Sequence, residues 1–301
     1  MSQYLNLKPV EFDKLSAKAK AKINLAGRMM LPKYDGCFCI FVYEDGVPLA
    51  VLSRDGKLVR SMEHIHCDLL RRYPWIGSQG FGKVAILGEA WSPSKDFAEN
   101  SGAFRRHSTQ HDLGFAPFDA VLWEGTALAP KLYSPMPYRD RLRMLGHEYA
   151  HPGPFLIHTP TPVVCEGAEH AERYARHLKA HGSYDGAIIS DPDAVYLVSN
   201  GSAGEFLKIK PLLSFSLMVT GIVTDVGEKT GRPTGALVVR FKNTKGSKVA
   251  TGLSEEQQAN LEQFIGKIIE VQCMSVYPGE FGKMREPRFV GVRDDVTQAD
   301  Y

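Results

Sequence analysis

The sequence predicts an α+β protein of two domains, on three observations. Its 301 residues exceed the usual size of one domain, helix-like and strand-like segments alternate through the first two-thirds, and beyond Pro211 the texture changes to short strands between Gly-rich turns. Hydrophobic residues at 44% and charged residues at 23% sit near globular averages, and no apolar run approaches the ~20 residues that cross a bilayer. No membrane association is expected. Met1-Ser2-Gln3-Tyr4 opens the chain without the basic and apolar segments of a secretory signal, so a cytoplasmic location is expected.

In chain order, residues 11–27, rich in Lys, Ala and Leu, predict a helix ahead of Leu31-Pro32-Lys33-Tyr34-Asp35-Gly36, of which Lys33–Gly36 taken alone reads as a polar turn entering a hairpin. Cys37-Phe38-Cys39-Ile40-Phe41-Val42-Tyr43 predicts a buried strand, which Asp45-Gly46 turns into a second strand from Val47 to Ser53. Helices are expected at 62–73 and 166–181, and strands at 83–89, 116–123, 185–190 and 205–210. The second domain predicts strands at 216–226, 235–242, 247–251, 267–277 and 288–293, with a helix at 254–265. Five strands and a helix in about ninety residues suggest a small closed barrel such as an OB-fold. The expected division is 1–212 and 213–301.

Cys37, Cys39, Cys67, Cys165 and Cys273 form a scattered odd set with no Cys-x-x-Cys pair, which argues for reduced thiols and against a cysteine-built zinc site. The formal net charge of +2 does not itself demand nucleic acid, but the basic residues are bunched. Lys14, Lys18, Lys20, Lys22, Arg28 and Lys33 occur without an acid among them, and so do the basic residues from Arg240 to Lys248. Such runs make either solvated faces or tracks for phosphates.

Residues two apart in a strand share a face, so Lys208 and Lys210 point together while Leu207 and Ile209 face the core. Two ammonium groups on one side call for an anion, and a phosphate chain supplies one. The same cations would lower the pKa of Lys33 if it lay nearby, giving a neutral amine nucleophile.

Lys33-Tyr34-Asp35-Gly36 is followed in order by Ser53-Arg54, Gly88-Glu89, Phe118-Asp119, Tyr184-Asp185-Gly186-Ala187-Ile188-Ile189, Phe206-Leu207-Lys208-Ile209-Lys210 and Arg285-Glu286-Pro287-Arg288-Phe289-Val290-Gly291-Val292-Arg293. In the content and order of these motifs, from about residue 28 to residue 293, the chain resembles the covalent nucleotidyltransferases, most closely the small ATP-dependent DNA ligases of the bacteriophage type. The resemblance implies an adenylation domain with antiparallel sheets and flanking helices, then the OB-fold. It implies ATP as AMP donor, Mg2+ as cofactor, nicked duplex DNA as substrate, a monomer, and roles in replication, repair and recombination. Lys33 would attack the α-phosphate of ATP and release pyrophosphate; the AMP would pass to a DNA 5′-phosphate, and a 3′-hydroxyl would displace it.

On the same resemblance Lys208 and Lys210 act with Lys33 in catalysis. Asp35, Arg54, Glu89, Phe118, Asp185, Arg285 and Arg293 bind the nucleotide, with Phe118 stacking on adenine and the two barrel arginines orienting pyrophosphate. Glu89 and Asp185 offer the hard oxygen ligands that suit magnesium. A hinge near Pro211 would let the barrel open, and Lys18, Lys20, Lys22, Arg105, Arg106, Arg240 and Lys242 would hold DNA.

Two departures stand out. Phe38 occupies the position where the family has Arg, leaving Arg54 or Arg28 to compensate, and Asp185 replaces a Glu one methylene longer. The barrel motif favours DNA ligase over RNA ligase and mRNA-capping guanylyltransferase. The 32 residues before Lys33 are too few for the extra domain of the NAD-dependent ligases. A noncatalytic OB-fold binder is the rival of another class. His147-Glu148-Tyr149-Ala150-His151 matches a zinc-protease pattern, but Pro152-Gly153-Pro154 biases His151 away from the helix that motif requires.

Overall fold

The computed structural model describes residues 8–78, 81–146, 156–181, 184–197, 204–226, 233–242, 246–277 and 283–301, so the His147–His151 stretch and Lys245 lie outside the described residues. The chain divides into two compact units, Met1–Lys210 and Pro211–Tyr301.

In the first unit the order is β1 (Val10–Glu11), α1 (Ala17–Lys20), β2 (Met29–Tyr34), β3 (Cys37–Glu44), β4 (Val47–Ser53), α2 (Ile65–Arg72), β5 (Lys83–Trp91) and α3 (Phe97–Phe104). Next come β6 (Gly114–Thr126), β7 (Ala129–Ser134), α4 (Tyr138–Met144), β8 (Val163–Val164), α5 (Ala168–His181), β9 (Tyr184–Ser190), β10 (Tyr196–Leu197) and β11 (Phe206–Ile209). Two sheets result, one ordered β1-β11-β9-β2-β8 and the other β10-β7-β6-β5-β3-β4.

Strand alternation explains how the layers stack. On β3, Phe38, Ile40 and Val42 join Leu31 and Phe206 of the opposing sheet in one core, while Cys39, Phe41 and Tyr43 turn to a second core with Ile65 and Leu69 of α2. On the far side of the first sheet, Met30, Ala187, Ile189, Leu207 and Ile209 pack with Ala171, Ala175 and Leu178 of α5. The face-to-face sheets thus have helices outside them, the arrangement that buries both faces of each sheet.

Three expectations need correction. The segment 11–27 is not one helix: it holds part of β1, a 3-10 turn over Phe12–Lys14 and the four-residue α1, capped by the Ser16 hydroxyl accepting from the Ala19 N–H. Helix propensity is a weak prior, and here the sheet edge takes Val10–Glu11 and the core takes Phe12 and Leu25. The polar turn expected over Lys33–Gly36 is confined to Asp35 and Gly36, because Lys33 and Tyr34 belong to β2, which pairs along β9 with Met30, Leu31 and Tyr34 buried. The helix at 254–265 splits into an α-turn and a 3-10 turn. Helices α3 and α4 were not anticipated, although Asp96 and Glu99 form the reciprocal capping box of α3.

The second unit contains β12 (Leu213–Val226), β13 (Pro233–Val239), β14 (Ser247–Val249), α6 (Glu255–Ala259), β15 (Ile268–Cys273), β16 (Ser275–Val276), β17 (Met284–Arg285) and β18 (Arg288–Val292). Its main sheet is antiparallel in the order β14-β13-β12-β15-β18, and a bridge between Thr251 and Arg288 draws the two edges together. Leu217, Val239, Val249, Ile269, Val271 and Phe289 fill its core, with Leu261 and Phe264 from a 3-10 turn at Leu261–Phe264.

Candidate active site

A cavity of about 280 Å³ opens in the first unit, lined among others by Lys33, Arg54, Glu89, Phe118, Lys208 and Lys210. Leu31, Leu87, Ile188 and Phe206 form an apolar wall, and Tyr138 and Tyr196 add aromatic surface. Lys208 and Lys210 reach the cavity because Leu207 and Ile209, which alternate with them, are buried against α5.

Asp185 joins this group through an irregularity of the sheet. Lys33 pairs with Gly186 but Tyr34 pairs with Tyr184, so Asp185 is an extra residue in β9. Regular alternation with Ala187 and Ile189 would aim Asp185 at α5 alone; the bulge turns it toward Lys33 and Lys210. Its Oδ2 stands 2.8 Å from Lys33 Nζ and 2.7 Å from Lys210 Nζ, while Oδ1 is 3.9 Å from Lys179 Nζ of α5. Burial pushes the Asp185 carboxyl up, but Lys33 and Lys210 outweigh it and hold the group below the usual carboxylate range. Gly186 makes the bulge possible. Its φ is +129°, and an added Cβ would lie 2.0 Å from the Ile209 carbonyl oxygen.

A second bulge presents Phe118. Leu87 pairs with Asp119 and Gly88 with Pro117, leaving Phe118 as the extra residue of β6 on the cavity wall. The Tyr138 hydroxyl donates to the Phe118 carbonyl at 3.0 Å. Below it, Asp119 accepts from Arg141 Nε at 2.6 Å and Nη2 at 3.1 Å, a bidentate pair inside the core. Arg141 also donates to the carbonyls of Met136 and Ala194, so one buried guanidinium ties α4, β6 and the segment before β10 together.

Glu89 is the unsatisfied member of the site. Among the described residues its Oε2 is buried without a hydrogen-bond partner. Burial pushes its carboxyl up to about 7; Lys33 and Arg54 oppose the shift, and Asp35 and Asp185 add to it. Such an orphaned hard oxygen fits a divalent cation. Asp185 is already engaged by lysines, and no group of three or more His, Cys, Asp or Glu among the described residues is placed to hold a metal. Magnesium therefore fits this site as an ion held by Glu89 and a ligand's phosphates, the usual manner for that ion.

Arg54 lies over the Phe38 ring at 5.6 Å, and that ring is 6.1 Å from Phe118. Arg28 instead donates to the backbone carbonyls of Asn24 and Gly204, at 2.8 and 2.5 Å, so Arg54 is the cation beside Phe38. Asp35 lies in the turn between β2 and β3.

The remaining candidates lie elsewhere. Arg285 sits on β17, and Arg293 is paired with Asp295 at 2.8 Å through both Nε and Nη2. Lys18 and Lys20 are on α1 with Lys22 just beyond, Arg105 and Arg106 follow α3, and Arg240 and Lys242 follow β13. Sequence reasoning missed Lys179, Tyr138, Tyr196 and Arg141. Only Lys179, in the last turn of an expected helix close before Asp185, left a trace.

No protein-family model matches the chain. It is 26% identical to a DNA ligase of Natronomonas pharaonis over 304 residues, covering 89% of this chain and 52% of that protein. The chain thus spans about half the length of the curated relative it matches. Among solved structures it is similar to a Lig E DNA ligase described as binding DNA with a minimal scaffold, with a TM-score of 0.67 at 17% identity, covering 96% of this chain and 98% of that one. It is also similar to the ATP-dependent DNA ligase of bacteriophage T7 in complex with ATP, with a TM-score of 0.51 at 17% identity, covering 96% of this chain and 98% of that one. At these identities the structural likeness is one of fold. The resemblance carried by the motifs thus extends to the chain as a whole, which is similar in sequence to a DNA ligase and shares its fold with ATP-dependent DNA ligases.

Proposed function

We propose that the chain is an ATP-dependent DNA ligase that seals nicks in duplex DNA. The observation that carries this reading is the convergence of Lys33 and Lys210, which line a cavity with an apolar wall, on one buried carboxylate at 2.8 and 2.7 Å. That arrangement suits a nucleotide, with the base against Leu31, Ile188 and Phe118 and the α-phosphate at the lysines. Lys33 Nζ, having lost its proton, attacks the α-phosphorus; a P–N bond forms, the bond to the bridging oxygen breaks, and pyrophosphate leaves. Lys208 and Lys210 stabilise charge on the phosphate, and Asp185 aims Lys33 and Lys210 at one point. Bound Mg2+, held by Glu89, would further neutralise the phosphates. AMP then passes to a DNA 5′-phosphate, and the adjacent 3′-hydroxyl displaces it to close the backbone.

The first unit serves as the adenylation domain and the second as an OB-fold, a reading supported by its five antiparallel strands and the bridge between its edges. Arg285 and Arg293 orient the leaving pyrophosphate, which requires Arg293 to exchange its Asp295 partner. Lys18, Lys20, Lys22, Arg105, Arg106, Arg240 and Lys242 contact DNA phosphates.

Intact-mass measurement after incubation with ATP, GTP or NAD, beside a nick-joining assay, tests the proposal. One AMP adduct per chain with ATP, and loss of both adduct and sealing in Lys33→Ala, are expected. An adduct that persists in Lys33→Ala, or a wild-type chain that never acquires one, overturns it.

A further inference from the structure

The motif-bearing strands do not complete the cavity. Lys8 and Pro9 also line it, from a segment outside every motif. They precede β1, which runs parallel to β11, with Val10 beside Leu207 and Glu11 beside Lys208. The strand β11, which carries Lys208 and leads into Lys210, would be a sheet edge without β1.

Three features hold the segment there. The ladder with β11 fixes its register, and Phe12 is buried with Val10 and Leu15 packed against the same core as α5. Glu11 lies beside Lys208 in that register, and its carboxylate attracts both Lys208 and Lys210 while pairing with Lys14 at 2.5 Å. The docked segment thereby adds Lys8 to the lining of a cavity that already presents Lys33, Arg54, Lys208 and Lys210. An ammonium offers three donors and no acceptor, and phosphate oxygens are the anions a nucleotide brings.

We propose that the amino-terminal strand is a wall of the nucleotide cleft and that Lys8 is a further phosphate-binding residue. This rests on the nucleotidyltransferase reading for its ligand, but its test does not depend on catalysis. Binding of inorganic tripolyphosphate to the full chain, measured by calorimetry, should weaken about fivefold in Lys8→Ala and at least tenfold in Lys8→Glu. Lys8→Arg should restore binding, and adenosine affinity should stay unchanged in all three. In adduct formation the KM for ATP should rise by similar factors with kcat within about twofold. Tripolyphosphate binding unchanged in Lys8→Glu overturns the inference, and so does a loss shared equally by adenosine, which marks a distorted cavity. Binding that depends on Lys8 in a chain that forms no adduct preserves the inference and removes the ligase reading; an adduct with no Lys8 dependence does the reverse.

Discussion

Glu89→Gln should make the protein more stable and less active at the same time. The Glu89 carboxyl, pushed up from its ordinary 4.5 to about 7 by burial, keeps its proton in the folded chain over a pH range where the unfolded chain has released it. Folding therefore binds a proton between these values, and stability falls as pH rises through that window. A shift of that size corresponds to about 3 kcal/mol in full, of which about 2–3 kcal/mol is expressed between pH 5 and pH 8. Glutamine removes the titration and keeps the shape, so the variant should gain that much on wild type between those two pH values. Titrating groups that do not interact with Glu89 are common to both proteins and cancel in the difference. Urea unfolding followed by tryptophan fluorescence is a suitable assay, because Trp75, Trp91 and Trp123 all lie in the first unit. Adduct formation in the same variant should drop, since the neutral amide is a poor magnesium ligand. Stability profiles that run parallel in the two proteins would refute the assignment of a carboxyl held protonated by burial.

Gly186→Ala meets the Ile209 carbonyl and an unfavourable φ; a loss of about 3 kcal/mol in urea unfolding is expected, with adduct formation lost too, and wild-type behaviour would show that the bulge does not position Asp185. Arg141→Met leaves Asp119 charged and unpaired in the core and should cost about 3–5 kcal/mol, with part recovered in Arg141→Met/Asp119→Asn; equal losses in the single and double variants would show that the pair is not coupled. Reversing Lys18, Lys20 and Lys22 together should weaken binding of nicked DNA and flatten its salt dependence by about one unit per phosphate contact, leaving ATP adduct formation intact. Wild-type DNA affinity in that variant at moderate salt would mark α1 as a solvated face.

What could be read from the sequence and what could not follows from the range of the interactions involved. The hairpin of β3 and β4, the burial of Leu207 and Ile209 and the shared face of Lys208 and Lys210 are consequences of two-residue alternation, which is local and printed in the chain. The two candidate site residues that alternation alone would misplace are Asp185 and Phe118, each the extra member of a bulge. Glycine was the only local hint: Gly186 stands next to the first bulge and Gly88 opposite the second, where an added Cβ would come within 2.4 Å of the Ala116 carbonyl oxygen. Motif order could associate these residues with Lys33, but it could not say that Asp185 bridges two lysines or that Glu89 Oε2 is buried without a hydrogen-bond partner among the described residues. The bridge is made by strands remote in sequence, and the orphaned oxygen by the absence of a neighbour in space. The basic run from Lys14 to Lys33 shows the same limit from the other side. Lys14 pairs with Glu11, Arg28 turns to backbone carbonyls and Lys33 enters the cavity, so six charges adjacent in sequence serve several environments. Charge bunching in a chain becomes a surface only where one element displays it, and here that element is the single turn of α1.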